Sequence, residues 1–250
     1  MRPEMAADSA VSGMRRLDYG SQPEQYAQLW LPAASAPLHD AHRPLLMLVH
    51  GGYWRSRHDL AHMEPMAAAL ARAGWPVLNV EYRRIPGNPQ AMLDDLQSAL
   101  RTLPARVGVT DGRVLLIGFS AGGQLALWLA AQAGAPLLTV LALAPVADLQ
   151  RCRDLHLSDD AVDEWLGGAT APLQRWDPCL LPSPAVPVTL VHGEDDRDVP
   201  VELSRRYAAR HPEARLECLP NVDHFALIEP GSAAWSTVYA ALLRSAPSPA

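Results

Sequence analysis

Lysine is missing from the 250-residue sequence: all 21 residues of the lysine-plus-arginine count are arginines. Chemistry that needs a side-chain amine, such as a Schiff base, is thereby excluded. Cysteine is nearly as scarce. Cys152, Cys179 and Cys218 are odd in number and show no C-x-x-C spacing, so neither a disulfide framework nor a zinc site is expected. An excess of positive charge is missing too. Against those 21 arginines stand 27 acidic residues, a net charge of −6, which argues against nucleic-acid or anionic-membrane partners because both need a basic face. No apolar run approaches the roughly 18–20 residues of a membrane span, and the first residues, MRPEMAADSAVSGM, lack the apolar stretch of a signal peptide. A cytoplasmic protein with a small-molecule substrate is the expectation; the oligomeric state is left open, a homodimer included.

What is present is a regular alternation of elements. Arg16–Tyr19 and Tyr26–Pro32 read as two short antiparallel strands, after a segment 1–14 expected to be disordered, and Pro32–Pro44 as a loop. Apolar runs at Leu45–Val49, Val77–Tyr82, Val114–Ile117 and Leu137–Leu143 then alternate with helix-like stretches at Asp59–Ala73, Gln90–Leu103 and Gln124–Ala131. Runs that stay apolar on both pleat faces belong to a parallel sheet covered on both sides. After Pro145 the rhythm breaks. Residues 146–186 hold one expected helix, Asp159–Leu166 capped by Ser158, among Pro-rich loops, and read as a small lid over the site side of the sheet. Its members Leu155, Leu157, Trp165, Leu166 and Trp176 either line a pocket or pack down onto the body. The sheet resumes at Val188–Val191, followed by helix Val201–Arg210, strand Arg215–Leu219 and a last helix Ser232–Arg244. A chain of this length buries about three quarters of its unfolded surface around one core, so residues 1–250 are expected to form one domain.

The strand-to-helix passage around Ser120 carries the chemistry. Gly118-Phe119-Ser120-Ala121-Gly122 is a G-x-S-x-G with a strand before it and a helix after it, the context of a nucleophile elbow. A serine there lies at a helix N-terminus, where backbone N–H groups favour developing negative charge. Its hydroxyl needs a base, and the base an orienting acid. Two later strand-end loops offer them: Asn221-Val222-Asp223-His224-Phe225 for the base, and Val191-His192-Gly193-Glu194-Asp195-Asp196-Arg197-Asp198 for the acid. The residues alone leave the acid open among four crowded carboxylates.

By this point the chain resembles the α/β-hydrolase superfamily from Arg16 to Arg244. The resemblance implies an α/β-hydrolase fold, a mostly parallel central sheet of about eight strands with helices on both faces. The family pattern laid on His192-Gly193 and Val199-Pro200 selects Asp196, with Asp195 its first rival. It also implies an oxyanion hole from the N–H of Ala121 and one from the turn His50-Gly51-Gly52-Tyr53-Trp54, given by Gly52 or Tyr53, with His50 structural. The HGGYW form is similar to the kynurenine formamidase (arylformamidase) branch and to related small carboxylesterases. Tyr53, Trp54, Phe119 and Trp165 are the expected substrate contacts, although Trp54 packing under its loop is an equal reading.

The function expected is a serine hydrolase of small esters or aryl formamides, working through an acyl-enzyme with Ser120, His224 and Asp196 and needing no metal or cofactor. A small-peptide peptidase and a non-catalytic binding module on the same fold are the rivals. His58 and His62, four apart on an expected helix, lack a third ligand and are set aside as a metal site. The adjacent Asp94 and Asp95 diverge, and Glu81-Tyr82-Arg83-Arg84 reads as an ion-paired structural corner.

Overall fold

Leu45–Val49 and Leu137–Leu143 place large apolar side chains on alternate pleat faces, so each strand needs cover on both sides. The computed structural model describes residues 11–32, 43–108, 114–132 and 134–246, and supplies that cover. In chain order its strands are β1 (Val11–Asp18), β2 (Tyr26–Pro32), β3 (Leu45–Val49), β4 (Val77–Val80), β5 (Val114–Phe119), β6 (Leu137–Leu143), β7 (Val188–Gly193) and β8 (Arg215–Leu219). They form one 8-stranded sheet in the order β1-β2-β4-β3-β5-β6-β7-β8. β1 and β2 run antiparallel at one edge, and every pairing from β4 to β8 is parallel.

The helices are α1 (Glu64–Arg72), α2 (Pro89–Val107), α3 (Ala121–Ala130), α4 (Leu149–Asp154), α5 (Leu157–Leu166), α6 (Glu202–Arg210) and α7 (Trp235–Ser245). Two apolar layers result. Leu46, Leu48, Leu115 and Ile117 pack with α1 and α7, while Leu45, Met47, Val114 and Leu116 pack with α2, α3 and α6. The chain moves from β3 outward to β4, then crosses back to β5 and proceeds the other way. That reversal opens a crevice beyond the carboxyl ends of β3 and β5, where open α/β sheets hold their ligands.

Several boundaries differ from the sequence reading. Residues 11–14, expected disordered, belong to β1, paired to β2; residues 1–10 and most of the expected loop Pro32–Pro44 lie outside the described residues. The helix expected at Asp59 begins as a 3-10 turn at Leu60–Met63, capped by the Asp59 carboxylate accepting from Ala61 N at 2.9 Å, and becomes α-helical only at Glu64. In the excursion after β6 a helix not foreseen, α4, is capped by Asp148, which accepts from Arg151 N at 2.8 Å. Ser158 does not cap α5. Ser158, Asp159 and Asp160 have φ of 51°, 52° and 56°, left-handed values, and Ser158 Oγ instead accepts from Arg55 Nη1 at 2.9 Å.

Asp177 anchors this excursion. Its carboxylate accepts from Gln150 N at 3.1 Å and Cys179 N at 3.0 Å. Burial, with the Asp148 carboxylate nearby, pushes its carboxyl up to about 6. The folded state therefore holds a proton there that the unfolded chain has released, so stability is lost as pH rises from about 4 to about 6. Urea unfolding across that window is expected to show the wild type losing about 2–3 kcal/mol relative to Asp177→Asn; parallel curves for the two proteins contradict this.

Candidate active site

β5 ends in Ser120, whose backbone is forced to φ 57° and ψ −120°. A non-glycine residue held there stores about 1–3 kcal/mol of strain, so its surroundings must over-determine it. They do. Ser120 N donates to Leu143 O at 2.9 Å, and Ser120 O accepts from Gln124 N at 3.2 Å and Val146 N at 3.1 Å. The flanking glycines are needed for space: a Cβ on Gly118 would lie 2.4 Å from Gly122 O, and one on Gly122 would lie 2.2 Å from Val49 O. The elbow is thus pressed against the carboxyl end of β3, and Gly51 beyond that end sits so close that its Cβ would come within 2.8 Å of Ser120 Cβ.

Strands β7 and β8 bring the next two residues. His224 Nδ1 donates to Asp196 Oδ2 at 2.6 Å, and both residues are buried. Asp196 Oδ1 accepts from the backbone N–H groups of Asp198 at 2.9 Å and Val199 at 2.8 Å. Burial alone would raise the Asp196 carboxyl. Hydrogen bonds from His192 and His224 outweigh it and hold the group well below the usual carboxylate range. His192 itself is fixed, its Nε2 donating to Val199 O at 2.8 Å and its Nδ1 2.7 Å from Ser204 Oγ. Of the four carboxylates in this loop, Asp196 meets His224; among the described residues Asp195 makes a backbone bond alone, its N–H donating to Val222 O at 3.1 Å. His224 Nε2 has no protein partner among the described residues, and the ring lines the same cavity as Ser120.

The turn after β3 lies opposite. Gly52, Tyr53 and Trp54 take φ of 113°, 49° and 59°. The N–H groups of Gly52 and Tyr53 have no acceptor among the described residues, and that of Ala121, in the first turn of α3, has no intrahelical one. These are the donors the oxyanion expectation names. Tyr53 OH donates to Asp198 O at 2.6 Å, tying this turn to the loop that carries Asp196. Behind it, His50 lies 3.2 Å from Glu81 Oε1 and accepts the Tyr82 hydroxyl at its carbonyl, 2.8 Å away. Burial works to raise Glu81, but hydrogen bonds from His50 and Arg84 prevail and set its carboxyl to about 2. The ion-paired corner read from Glu81 to Arg84 is present as Glu81–Arg84, with Arg83 on Asp95 at 2.6 Å.

The cavity in front of Ser120 has a volume of about 420 Å³. Of the four expected substrate contacts, Tyr53 and Phe119 line it. Trp54 and Trp165 do not. They are 3% and 2% exposed and stack on each other with ring centres 4.4 Å apart, and the Trp54 Nε1 donates to Gln124 Oε1 at 3.1 Å. Their place is beneath the loop, joining it to α5, since a flat indole pair buries more area there than at a wet mouth. Trp165→Ala is expected to cost about 3–5 kcal/mol in unfolding free energy. Trp165→Phe should cost much less, because the buried Trp165 Nε1 has no partner to lose; equal losses in urea melts contradict that placement.

The sequence missed other wall residues. Arg57, His58 and His62 come from the segment after the turn that follows β3, Leu157 and Ser158 from the start of α5, and Arg197, Asp198 and Phe225 from the loops that carry Asp196 and His224. Of those last three, Arg197 and Phe225 directly follow Asp196 and His224 in sequence and Asp198 lies two residues after Asp196, a signal that was available. His58 lies before the 3-10 turn, so the two histidines do not share a helix as expected. Burial, then the charge of His50 and His58, pushes His62 down to about 4. The one group of three described residues with ligand atoms close enough for a metal is Asp148, Asp177 and Cys179. Asp148 and Asp177 cap the turns that follow them, Asp148 also meets Arg206 at 2.5 Å, and the Cys179 thiol donates to Ala147 O at 3.3 Å.

An 8-stranded, mostly parallel sheet flanked by helices, with a serine elbow at its centre, is the α/β-hydrolase fold. The chain belongs to the BD-FAE family, whose model matches residues 31–210. It is 29% identical over 195 residues to esterase LipU of Mycobacterium tuberculosis, a match covering 69% of this chain and 65% of that one. It is 33% identical over 152 residues to an acetyl-hydrolase of Streptomyces hygroscopicus, a match covering 54% of this chain and 50% of the relative. The chain thus spans 65% and 50% of the length of these two relatives. Among solved structures, esterase B from Lactobacillus rhamnosis aligns with a TM-score of 0.78 at 22% identity, covering 94% of this chain and 85% of that one. A thermophilic esterase from Thermogutta terrifontis aligns with a TM-score of 0.68 at 22% identity, covering 93% and 90%. At such identities these two establish the fold. No helix among the described residues is long and apolar enough to cross a membrane.

Proposed function

We propose that the protein is a serine hydrolase of small carboxylic esters. The observation that carries this reading is one cavity lined by both Ser120 and His224, with His224 Nδ1 held on Asp196 at 2.6 Å. In this mechanism Ser120 Oγ attacks the ester carbonyl carbon while His224 Nε2 takes the hydroxyl proton. The oxyanion is met by the N–H of Ala121 and that of Gly52 or Tyr53, a single donor contributing about 3–4 kcal/mol to the transition state. Collapse breaks the ester bond and His224 returns its proton to the departing alcohol. A water, activated by the same ring, then hydrolyses the acyl-enzyme. Asp196 keeps the proton on Nδ1 and stabilises the imidazolium.

The names of the relatives, esterase and acetyl-hydrolase, favour an ester over the formamide bond that the HGGYW turn suggests. Turnover of p-nitrophenyl acetate and butyrate is therefore expected to exceed that of N-formylkynurenine, and to vanish in Ser120→Ala. Formamide turnover above the ester values moves the protein to the arylformamidases. Cleavage of aminoacyl-p-nitroanilides alone moves it to the peptidases. Ester turnover that survives Ser120→Ala, or failure of a fluorophosphonate to label Ser120, removes the proposed nucleophile.

A further inference from the structure

We infer that the ester bound at this site carries a negatively charged group, held at the cavity rim by the guanidinium groups of Arg57 and Arg197. The inference rests on the ester reading and adds a substrate class to it. The chain as a whole, at net charge −6, repels anions. Nearby arginines are neutralised inside the fold: Arg55 pairs with Glu164 at 2.7 Å, and Arg84 with Glu81. Arg57 and Arg197 differ. Both are exposed, both line the cavity in front of Ser120, and neither has a carboxylate at ion-pair distance among the described residues. Arg57 is steadied by its Nε, which donates to His58 Nε2 at 3.1 Å, and its terminal amino groups have no protein acceptor among those residues.

Acidic groups stand near both arginines, but the cavity lining itself holds two guanidinium groups against one carboxylate. Asp198 is the one carboxylate lining the cavity. On its outer side Arg57 borders a second hollow with Asp159 and Glu164, the latter already committed to Arg55. Arg197 borders another with Asp195, Asp198 and Asp223, of which Asp223 accepts from Ala226 N at 2.9 Å. The two histidines that also line the cavity are held towards the neutral form: burial, then Arg57, lowers His58, and His62 is lowered to about 4. Two permanent cations therefore flank a cavity of about 420 Å³, within the range that holds one small ligand. A guanidinium offers a planar pair of donors that matches a carboxylate, or any oxyanion of like shape, two bonds at a time. Binding energy gathered there orients an ester whose carbonyl lies further in, against Ser120.

The test compares 4-acetoxybenzoate with methyl 4-acetoxybenzoate, aryl acetates that differ by one charge. After correction for uncatalysed hydrolysis, wild-type kcat/KM should favour the anion by about five- to tenfold at low salt, and the preference should shrink in 0.5 M NaCl. Arg57→Gln and Arg197→Gln should each lower the ratio about threefold or more, and Arg57→Lys, which keeps the charge without the paired planar donors, should fall between wild type and Arg57→Gln. A wild-type ratio of one or less, or a ratio unchanged in both glutamine variants, overturns the inference. Calorimetric titration with 4-hydroxybenzoate and its methyl ester reads the subsite without turnover. Anion-selective binding that needs Arg57, in a protein that hydrolyses neither ester, overturns the ester reading and keeps the anion subsite. Ester turnover with no charge preference does the reverse, and neither turnover nor binding overturns both.

Discussion

Asp196→Asn is expected to lower kcat for p-nitrophenyl acetate by about 10⁴-fold while the protein stays folded. The arithmetic of hydrogen bonds explains the size of the effect. Asp196 offers two acceptor oxygens, and all of their work is assigned: Oδ1 takes the N–H groups of Asp198 and Val199, and Oδ2 takes His224 Nδ1, with His192 Nε2 3.3 Å from the same oxygen. Asparagine has one oxygen. If it stays with the two backbone donors, the amide NH₂ faces His224 Nδ1, which must then accept, and the ring proton moves to Nε2. A ring protonated at Nε2 cannot take the Ser120 proton. If the amide turns over, two buried backbone donors lose their acceptor, at about 1–3 kcal/mol each. The first arrangement is the cheaper, so activity falls more than stability. Asp195→Asn and Asp223→Asn, tested beside it, should change kcat less than about threefold, because neither carboxylate bonds to His224. A loss at Asp195→Asn as large as at Asp196→Asn transfers the acid role and undoes this assignment.

Asp196 also has an acid-side signature. The partners that hold its carboxyl low, and those that set Glu81 to about 2, stabilise the fold only while both groups are ionised. Their contribution is complete above the ordinary carboxylate range. It is lost as pH falls from about 4.5 towards 2. Glu81→Gln should flatten the part of an acid-denaturation curve that belongs to that corner, and an unaltered curve contradicts the pairing.

The strands were the most legible part of the sequence. Tyr26–Pro32, Leu45–Val49, Leu137–Leu143 and Arg215–Leu219 stand where their apolar or alternating runs put them, because a strand in a covered sheet answers to its own side-chain pattern. The excursion after β6 was not legible, for a reason that lies elsewhere in the chain. Of three consecutive left-handed residues, Asp160 meets His156 Nδ1 locally at 2.6 Å, whereas Ser158 and Asp159 are held from far along the chain. They are gripped by Arg55, which donates to Ser158 O at 2.7 Å, Asp159 O at 3.2 Å and Glu164 Oε2 at 2.7 Å across more than a hundred residues. Without that grip each left-handed residue costs about 1–2 kcal/mol. The same reasoning covers Trp54. Its pairing with Trp165 and Gln124 is tertiary, so the turn alone left packing and substrate contact as equal readings. His58 and His62 were drawn onto a helix that starts later than expected, and their places in the cavity wall went unseen.

Gly122→Ala should destabilise the fold by about 3–5 kcal/mol, a large effect for one methyl group. In most helices the change from glycine to alanine gains about 0.5–1 kcal/mol through backbone entropy, and Gly122 lies in α3. The sign reverses here because of what the methyl meets. A Cβ at this position comes within 2.2 Å of Val49 O and 2.3 Å of His50 O, both backbone atoms at the carboxyl end of β3 that no rotamer change can move. Relief requires α3 to retreat from β3. That movement carries Ser120 with it and opens the gap between the elbow and the oxyanion turn, where Gly51 is already in close contact with Ser120 Cβ. Activity and stability should therefore fall together, in contrast to Asp196→Asn. Gly108→Ala serves as the control: a Cβ on that glycine, φ +69°, would meet nothing within 4 Å among the described residues, so its substitution meets only the left-handed backbone penalty of about 1–2 kcal/mol. The two glycines separate contact from conformation. If urea midpoints show Gly122→Ala no less stable than Gly108→Ala, the close packing of elbow on strand is not what the glycine of this motif supplies.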